Sequence, residues 1–156
     1  MLSVQDIPDS PNGTAITYAS VSIIPSNSPP GAVYAAAEIL IPPPCPKFPK
    51  PYIYVTNRNI GKPSQEGDTV AIFEHVNRGQ QNESLVLINQ IPTGLSQLRG
   101  AAFGNPENGG EQYLMVGSAS GTAGVAIFKR IEEGKNLELV ARNMEVSNRT
   151  SFLWAK

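Results

Sequence analysis

The chain is poor in the residues that most enzymes use for chemistry. Its 156 residues include one cysteine, Cys45, and one histidine, His75. A single cysteine excludes an internal disulfide and fits a reducing compartment. No His/Cys/Asp cluster has metal-ligand spacing, so neither a metal nor another cofactor is expected. Charged residues make up 16% of the chain and the net charge is -1. That leaves no electrostatic footprint for nucleic acid or an anionic membrane. No run approaches the roughly 18 apolar residues of a transmembrane helix. Met1-Leu2-Ser3-Val4-Gln5-Asp6 has neither a basic nor an apolar leader region. No secretion signal is therefore read, and the expected location is cytoplasmic. The glycosylation triplets at Asn12, Asn82 and Asn148 are accordingly taken as unused. No Gly-x-Ser-x-Gly elbow is present. The stretch Gly117 to Gly124 is Gly-rich but lacks a following Lys-Ser/Thr and precedes a strand pattern, so it is no phosphate loop.

Glycine and proline, by contrast, number 14 each, and 40% of residues are hydrophobic. This is the composition of a globular chain of short strands joined by turns. An internal repeat is the strongest signal. Tyr52-Ile53-Tyr54-Val55 recurs as Tyr113-Leu114-Met115-Val116, and Val70-Ala71-Ile72-Phe73 recurs unchanged as Val125-Ala126-Ile127-Phe128. Leu85-Val86-Leu87-Ile88 recurs as Leu137-Glu138-Leu139-Val140. With one preceding strand each, Ala35 to Ile41 and Leu98 to Gly104, the units have four strands. Four strands in about 50 to 60 residues is the size of a β-propeller blade. Nothing has a helical period or βαβ alternation. The expected fold is all-β, a partial β-propeller of about two to three four-stranded antiparallel blades. The expected division is 1–34 as the remnant of a preceding blade, 35–97 as one blade, and 98–156 as another with a closing strand.

Along the chain, Met1 to Ile7 alternates weakly and reads as an outer strand; Thr14 to Ile24 alternates better, with a break near Ser20. Pro42 to Pro51 must be extended, as a linker or as a ligand for a proline-reading module. Cys45 lies among these prolines with no His or acid to serve as base, so it is read as incidental. Tyr52 to Val55 is a buried strand. Asn57-Arg58-Asn59 reads as a turn after it, since Asn tolerates left-handed angles. The corner delivers Arg58 at a strand exit; the bland reading is an exposed loop arginine.

In order and spacing, Tyr52–Asn59, Gly67–Glu74, Thr93-Gly94-Leu95, Leu98–Gly104, Tyr113–Gly117, Gly124–Arg130 and Phe152-Leu153-Trp154 resemble the C-terminal part of the seven-bladed β-propeller lactonase family. The similarity is to its fungal carboxy-cis,cis-muconate cyclase-like branch and spans roughly Ala35 to Trp154. It implies that the chain holds only the last blades. Ala32 to Ile41, helix-compatible by propensity, becomes an innermost strand carrying Glu38. Pro42 to Pro51 becomes a hairpin, and Phe152 to Trp154 a terminal strand. Arg149 stands where the pattern has proline or a small residue.

The branch's site is a histidine, two arginines and a glutamate at the channel mouth. Thr56-Asn57-Arg58 matches the strand that ends in the second arginine, so the resemblance implies a catalytic role for Arg58. The other three groups belong to earlier blades and have no match here; His75 falls at a position with no family role and is read as a blade-edge residue. Glu38 and Arg99 are substrate-binding candidates on or beside innermost strands, or else members of intra-blade ion pairs. Leu98-Arg99 stands where relatives carry Pro-Arg.

The implied activity is a lactone-forming intramolecular lyase or isomerase resembling 3-carboxy-cis,cis-muconate cyclase, an enzyme of aromatic catabolism. The chain alone is expected to be inactive. The alternatives are a 6-phosphogluconolactonase-like lactone hydrolase and a non-catalytic interaction propeller. The expected ligand is a small carboxylate or lactone, which suits arginine because its fork binds a carboxylate through two charge-assisted bonds. Bare blade faces cost about 25 cal/mol per square ångström left wet. Missing N-terminal blades or self-association are therefore expected to cover them.

Overall fold

The repeat in the sequence is a repeat of sheets. The computed structural model describes residues 1–120, 124–146 and 150–154, so the expectations about Asn148, Arg149 and the centre of the Gly-rich stretch lie outside the described residues. A two-stranded sheet pairs β1 (Leu2–Gln5) with β2 (Thr17–Val21). A four-stranded sheet runs in order through β3 (Tyr34–Leu40), β4 (Ile53–Asn59), β5 (Thr69–Val76) and β6 (Ser84–Pro92). A second does the same through β7 (Leu98–Phe103), β8 (Tyr113–Ser118), β9 (Val125–Ile131) and β10 (Asn136–Asn143). All pairings are antiparallel. Helical turns among the described residues are three short 3₁₀ segments, and no helix there is long and apolar enough to cross a membrane. The fold is all-β.

The registers repeat as well. Ile53 pairs with Phe73, and their counterparts Leu114 and Phe128 pair in the second sheet. Two hydrophobic layers result. Tyr52, Tyr54, Val70 and Ile72 face Leu98, Leu114, Val116, Ala126 and Phe128 of the second sheet. Ile53, Val55, Ala71, Phe73 and Leu85 face Leu2 and Ala19 of the small sheet and Ile23 just after it. Because both faces of β4 and β5 are covered, their sequences are continuous apolar runs. The two larger sheets meet along β3, β4 and β7 and diverge toward β6 and β10.

The connection from β6 to β7 is clasped to the start of β5 by backbone bonds. Asp68 N–H donates to Leu95 O at 2.7 Å, and Thr93 returns both N–H (2.9 Å) and Oγ1 (2.7 Å) to Asp68 O. Gly67 makes the close approach possible. Its φ is +77°, and a Cβ there would lie 2.6 Å from the Leu95 backbone.

Several expectations change. Asn57-Arg58-Asn59 is not a turn; β4 runs through all three residues. The asparagines act as buried pins instead. Asn57 Nδ2 donates to Ile23 O, while Asn59 accepts from Val33 N–H and Gly61 N–H and donates to Lys62 O. Bonding their amides to other segments removes the need for them to satisfy their own backbone. The proline-rich stretch is not a linker between domains but the hairpin connection between the paired strands β3 and β4. Cys45 and Phe48 exchange two backbone bonds of 3.0 and 2.9 Å, and this tight turn buries Phe48. His75, read as a blade-edge residue, lies within β5, an inner strand of its sheet, with its Nε2 2.5 Å from Glu83 Oε1. Phe152 to Trp154 form no strand; Trp154 Nε1 reaches the carbonyl of Ala102 in β7 at 3.3 Å.

Candidate functional site

Three charged side chains from separate strands meet in one cleft of about 410 Å³. Glu38 comes from β3, Arg58 from β4 and Arg99 from β7; Ala36, Ala37, Thr150 and Ser151 complete the wall. The sequence-derived candidates therefore share a site.

Two of the three are set by β-bulges. On β3 the pairing steps from Ala36↔Asn57 to Ile39↔Val55, which inserts one extra residue at Ala37–Glu38. The Glu38 N–H leaves the ladder and donates to Thr56 Oγ1 at 2.9 Å. On β7 the pairing steps from Leu98↔Ser118 to Gly100↔Gly117, so Arg99 is the inserted residue. A bulge breaks the alternation of a strand and re-aims one side chain. Here it does so on the first strand of each large sheet, where those sheets are closest.

Arg58 sits in regular register, opposite Ala35. It is half-buried, and its Nε is shielded from solvent with no hydrogen-bond partner among the described residues. Leaving a guanidinium N–H unpaired in such a place costs about 1–3 kcal/mol. Among the described residues, the ion pairs within 4.0 Å are Lys50–Glu74 and His75–Glu83. Glu38, Arg58 and Arg99 thus make no intra-sheet ion pair with a described partner. The cleft holds two positive charges and one negative charge, poised for a ligand with an anionic group and a hydrogen-bond donor.

Close to the cleft lies Asp68, in the segment just before β5 and one residue beyond the Asn57↔Thr69 pair. It is 2% exposed, and its Oδ2 accepts the Leu98 N–H at 3.0 Å. Burial raises its pKa above the ordinary 3.8; the N–H groups of Leu98, Asn59 and Gln97 and the charge of Arg58 pull it partly back. The folded state therefore holds its proton more tightly than the unfolded chain. The cost of burying the ionised group is present at neutral pH and is relieved as pH falls through the folded pKa toward 3.8. Wild type should gain stability relative to Asp68→Asn over that interval in urea titrations. A difference that is flat, or that moves the other way, contradicts this account.

A larger cleft, about 610 Å³, lies elsewhere, between β1–β2 and the loop after β5, lined by Gln5, Tyr18, Gln80, Gln81 and Glu83 among others. Its one charge is already engaged. Glu83 accepts from Gly79 N–H at 2.8 Å and bonds His75, and its pKa is lowered chiefly by the Gly79 N–H and then by His75. His75 is remote from Arg58 in register, near the opposite end of its strand pair. No group of three or more His, Cys, Asp or Glu among the described residues could hold a metal ion.

No family model matches the chain, and no curated protein matches it.

Proposed function

We propose that the Glu38–Arg58–Arg99 cleft binds a small carboxylate and serves lactone formation from a muconate-type diacid, in a propeller of which the two four-stranded sheets are blades. The observation that carries this reading is the convergence of two bulge-directed charges on an arginine whose Nε has no partner. Such an arrangement favours a ligand that brings its own carboxylate.

In the proposed reaction Arg58 grips one carboxylate through two parallel bonds. An oxygen of the reacting carboxylate adds to an alkene carbon and forms the new C–O bond. The π electrons move toward the carbon next to the conjugated carboxylate, where a proton is added. Dianion plus proton gives the lactone monoanion. Fixed arginine charge stabilises the negative charge that builds on the conjugated carboxylate. Glu38 orients the substrate by repelling a misplaced carboxylate. On this reading, further blades supply the histidine and glutamate of the family pattern as proton donor and acceptor. They also cover the bare sheet faces.

Titration of the ¹⁵N-labelled chain with cis,cis-muconate and, separately, acetate tests this reading. Muconate should move the amides of Ala36, Glu38, Arg58 and Arg99 and bind more tightly than acetate. Perturbations centred on Tyr18, Gln80 and Gln81, or none, would sink it.

A further inference from the structure

We infer that Asp68 is the positioning residue of this cleft: it fixes the spacing between Arg58 and Arg99 and so selects the length of the diacid that fits. The inference rests on the reading of the cleft as a carboxylate site.

The backbone places Asp68 between the two arginines. Asn57 pairs with Thr69, so the register carried one residue further sets Asp68 across from Arg58. Cross-strand neighbours lie on the same face of a sheet. From there the carboxylate crosses to the other sheet and takes the N–H of Leu98, the residue before Arg99. One buried carboxylate thus ties the segment bearing Arg58 to the segment bearing Arg99.

Strain accompanies the tie. Gln97 has φ of +54°, in the left-handed region that a side chain disfavours by about 1–2 kcal/mol. Its carbonyl is held by Ala119 N–H at 3.0 Å. A non-glycine residue keeps such a conformation where its surroundings over-determine it. Here those surroundings are Asp68 on one side and the strand end of β8 on the other. Asp68 makes no ion pair within 4.0 Å of Arg58, so it acts through the backbone and leaves the guanidinium open to ligand.

The experiment measures Kd for acetate, malonate, succinate, glutarate, adipate and cis,cis-muconate with the full chain, as wild type, Asp68→Ala and Asp68→Asn. Wild type should show one preferred length. Asp68→Ala should lose the optimum, giving affinities within about threefold across the diacids. Asp68→Asn keeps an oxygen for Leu98 N–H and removes a negative charge near Arg58. It should retain the optimum while binding every diacid several-fold more tightly. A merely structural role would weaken all ligands in parallel and leave the optimum in place. An unchanged optimum in folded Asp68→Ala overturns the inference alone. Should Asp68→Ala fail to fold, loss of the optimum in Asp68→Asn, or no gain in affinity there, overturns it. Wild type that binds none of the acids overturns the carboxylate reading itself, and the inference with it.

Discussion

Replacing Phe48 with alanine should remove about 3–5 kcal/mol of folding stability. That is a large share of the 5–15 kcal/mol typical of a whole domain. The residue comes from a loop, between Lys47 and Pro49, and a loop position would ordinarily be worth well under 1 kcal/mol. Its 1% exposure decides otherwise. The Phe48 ring centroid lies 3.8 Å from the guanidinium carbon of Arg130, itself 1% exposed, and Tyr54 and Phe103 each approach that carbon at 5.4 Å. Arg130 has no described carboxylate within 4.0 Å. It is held by Nε to Tyr54 Oη at 3.0 Å and by Nη1 to Glu111 O at 3.3 Å, and Tyr54 Oη donates onward to Gly134 O at 2.6 Å. Burial raises the Tyr54 pKa, against the pull of Arg130, which keeps the hydroxyl protonated as a donor.

A buried cation without a counter-charge is stable only where aromatic faces and hydrogen bonds replace its hydration. Removing the Phe48 ring takes away one such face as well as its packing. A double-mutant cycle with Arg130→Met, read by urea denaturation, should therefore give a coupling of about 1–2 kcal/mol. A Phe48→Ala loss below about 1 kcal/mol would show that the loop is not part of the core in solution.

The second large effect is expected at Arg58. Arg58→Ala should weaken binding of cis,cis-muconate by about 2–3 kcal/mol, or roughly thirty- to 150-fold in Kd. The loss is that of a charge-assisted, two-pronged contact. Arg58→Lys keeps the charge but not the fork, and it should recover only part of that loss. Folding should change little in either variant, because the Arg58 Nε has no hydrogen-bond partner among the described residues. Where lactone formation can be followed, the same substitution should cost about 3 kcal/mol in kcat/KM. A Kd within threefold of wild type for Arg58→Ala would remove Arg58 from the site and leave the cleft without its central group.

Part of this was present in the linear sequence. Identical Val-Ala-Ile-Phe segments and the paired Tyr-led segments marked which strands are equivalent, because such apolar β-branched and aromatic runs suit strands; β4 and β5 are covered on both faces, whereas β9 buries alternate residues. The same pattern placed Glu38 and Arg99 on or beside first strands and Arg58 in a turn at the exit of a second. It left open whether they meet. The two bulges that re-aim Glu38 and Arg99 depend on hydrogen-bond partners about 20 residues away in the chain, Thr56 for one and Gly117–Ser118 for the other. Local propensity contains no term for such partners.

The same limit explains the misread turn. Asn57-Arg58-Asn59 has turn chemistry when considered alone, and becomes strand because Ile23, Val33 and Lys62 take up its amides. Likewise Asp68 in a Gly-Asp-Thr turn, and Phe48 among prolines, carry no mark of burial. Each is buried because a second sheet arrives from beyond residue 97 to close over it. Strand pattern and repeat follow from side-chain shape and alternation along one segment, and so were legible in the linear chain. The cleft, the Asp68 contact with Leu98 and the Arg130 cage were not, since burial and charge pairing depend on which distant segments share a low-dielectric space.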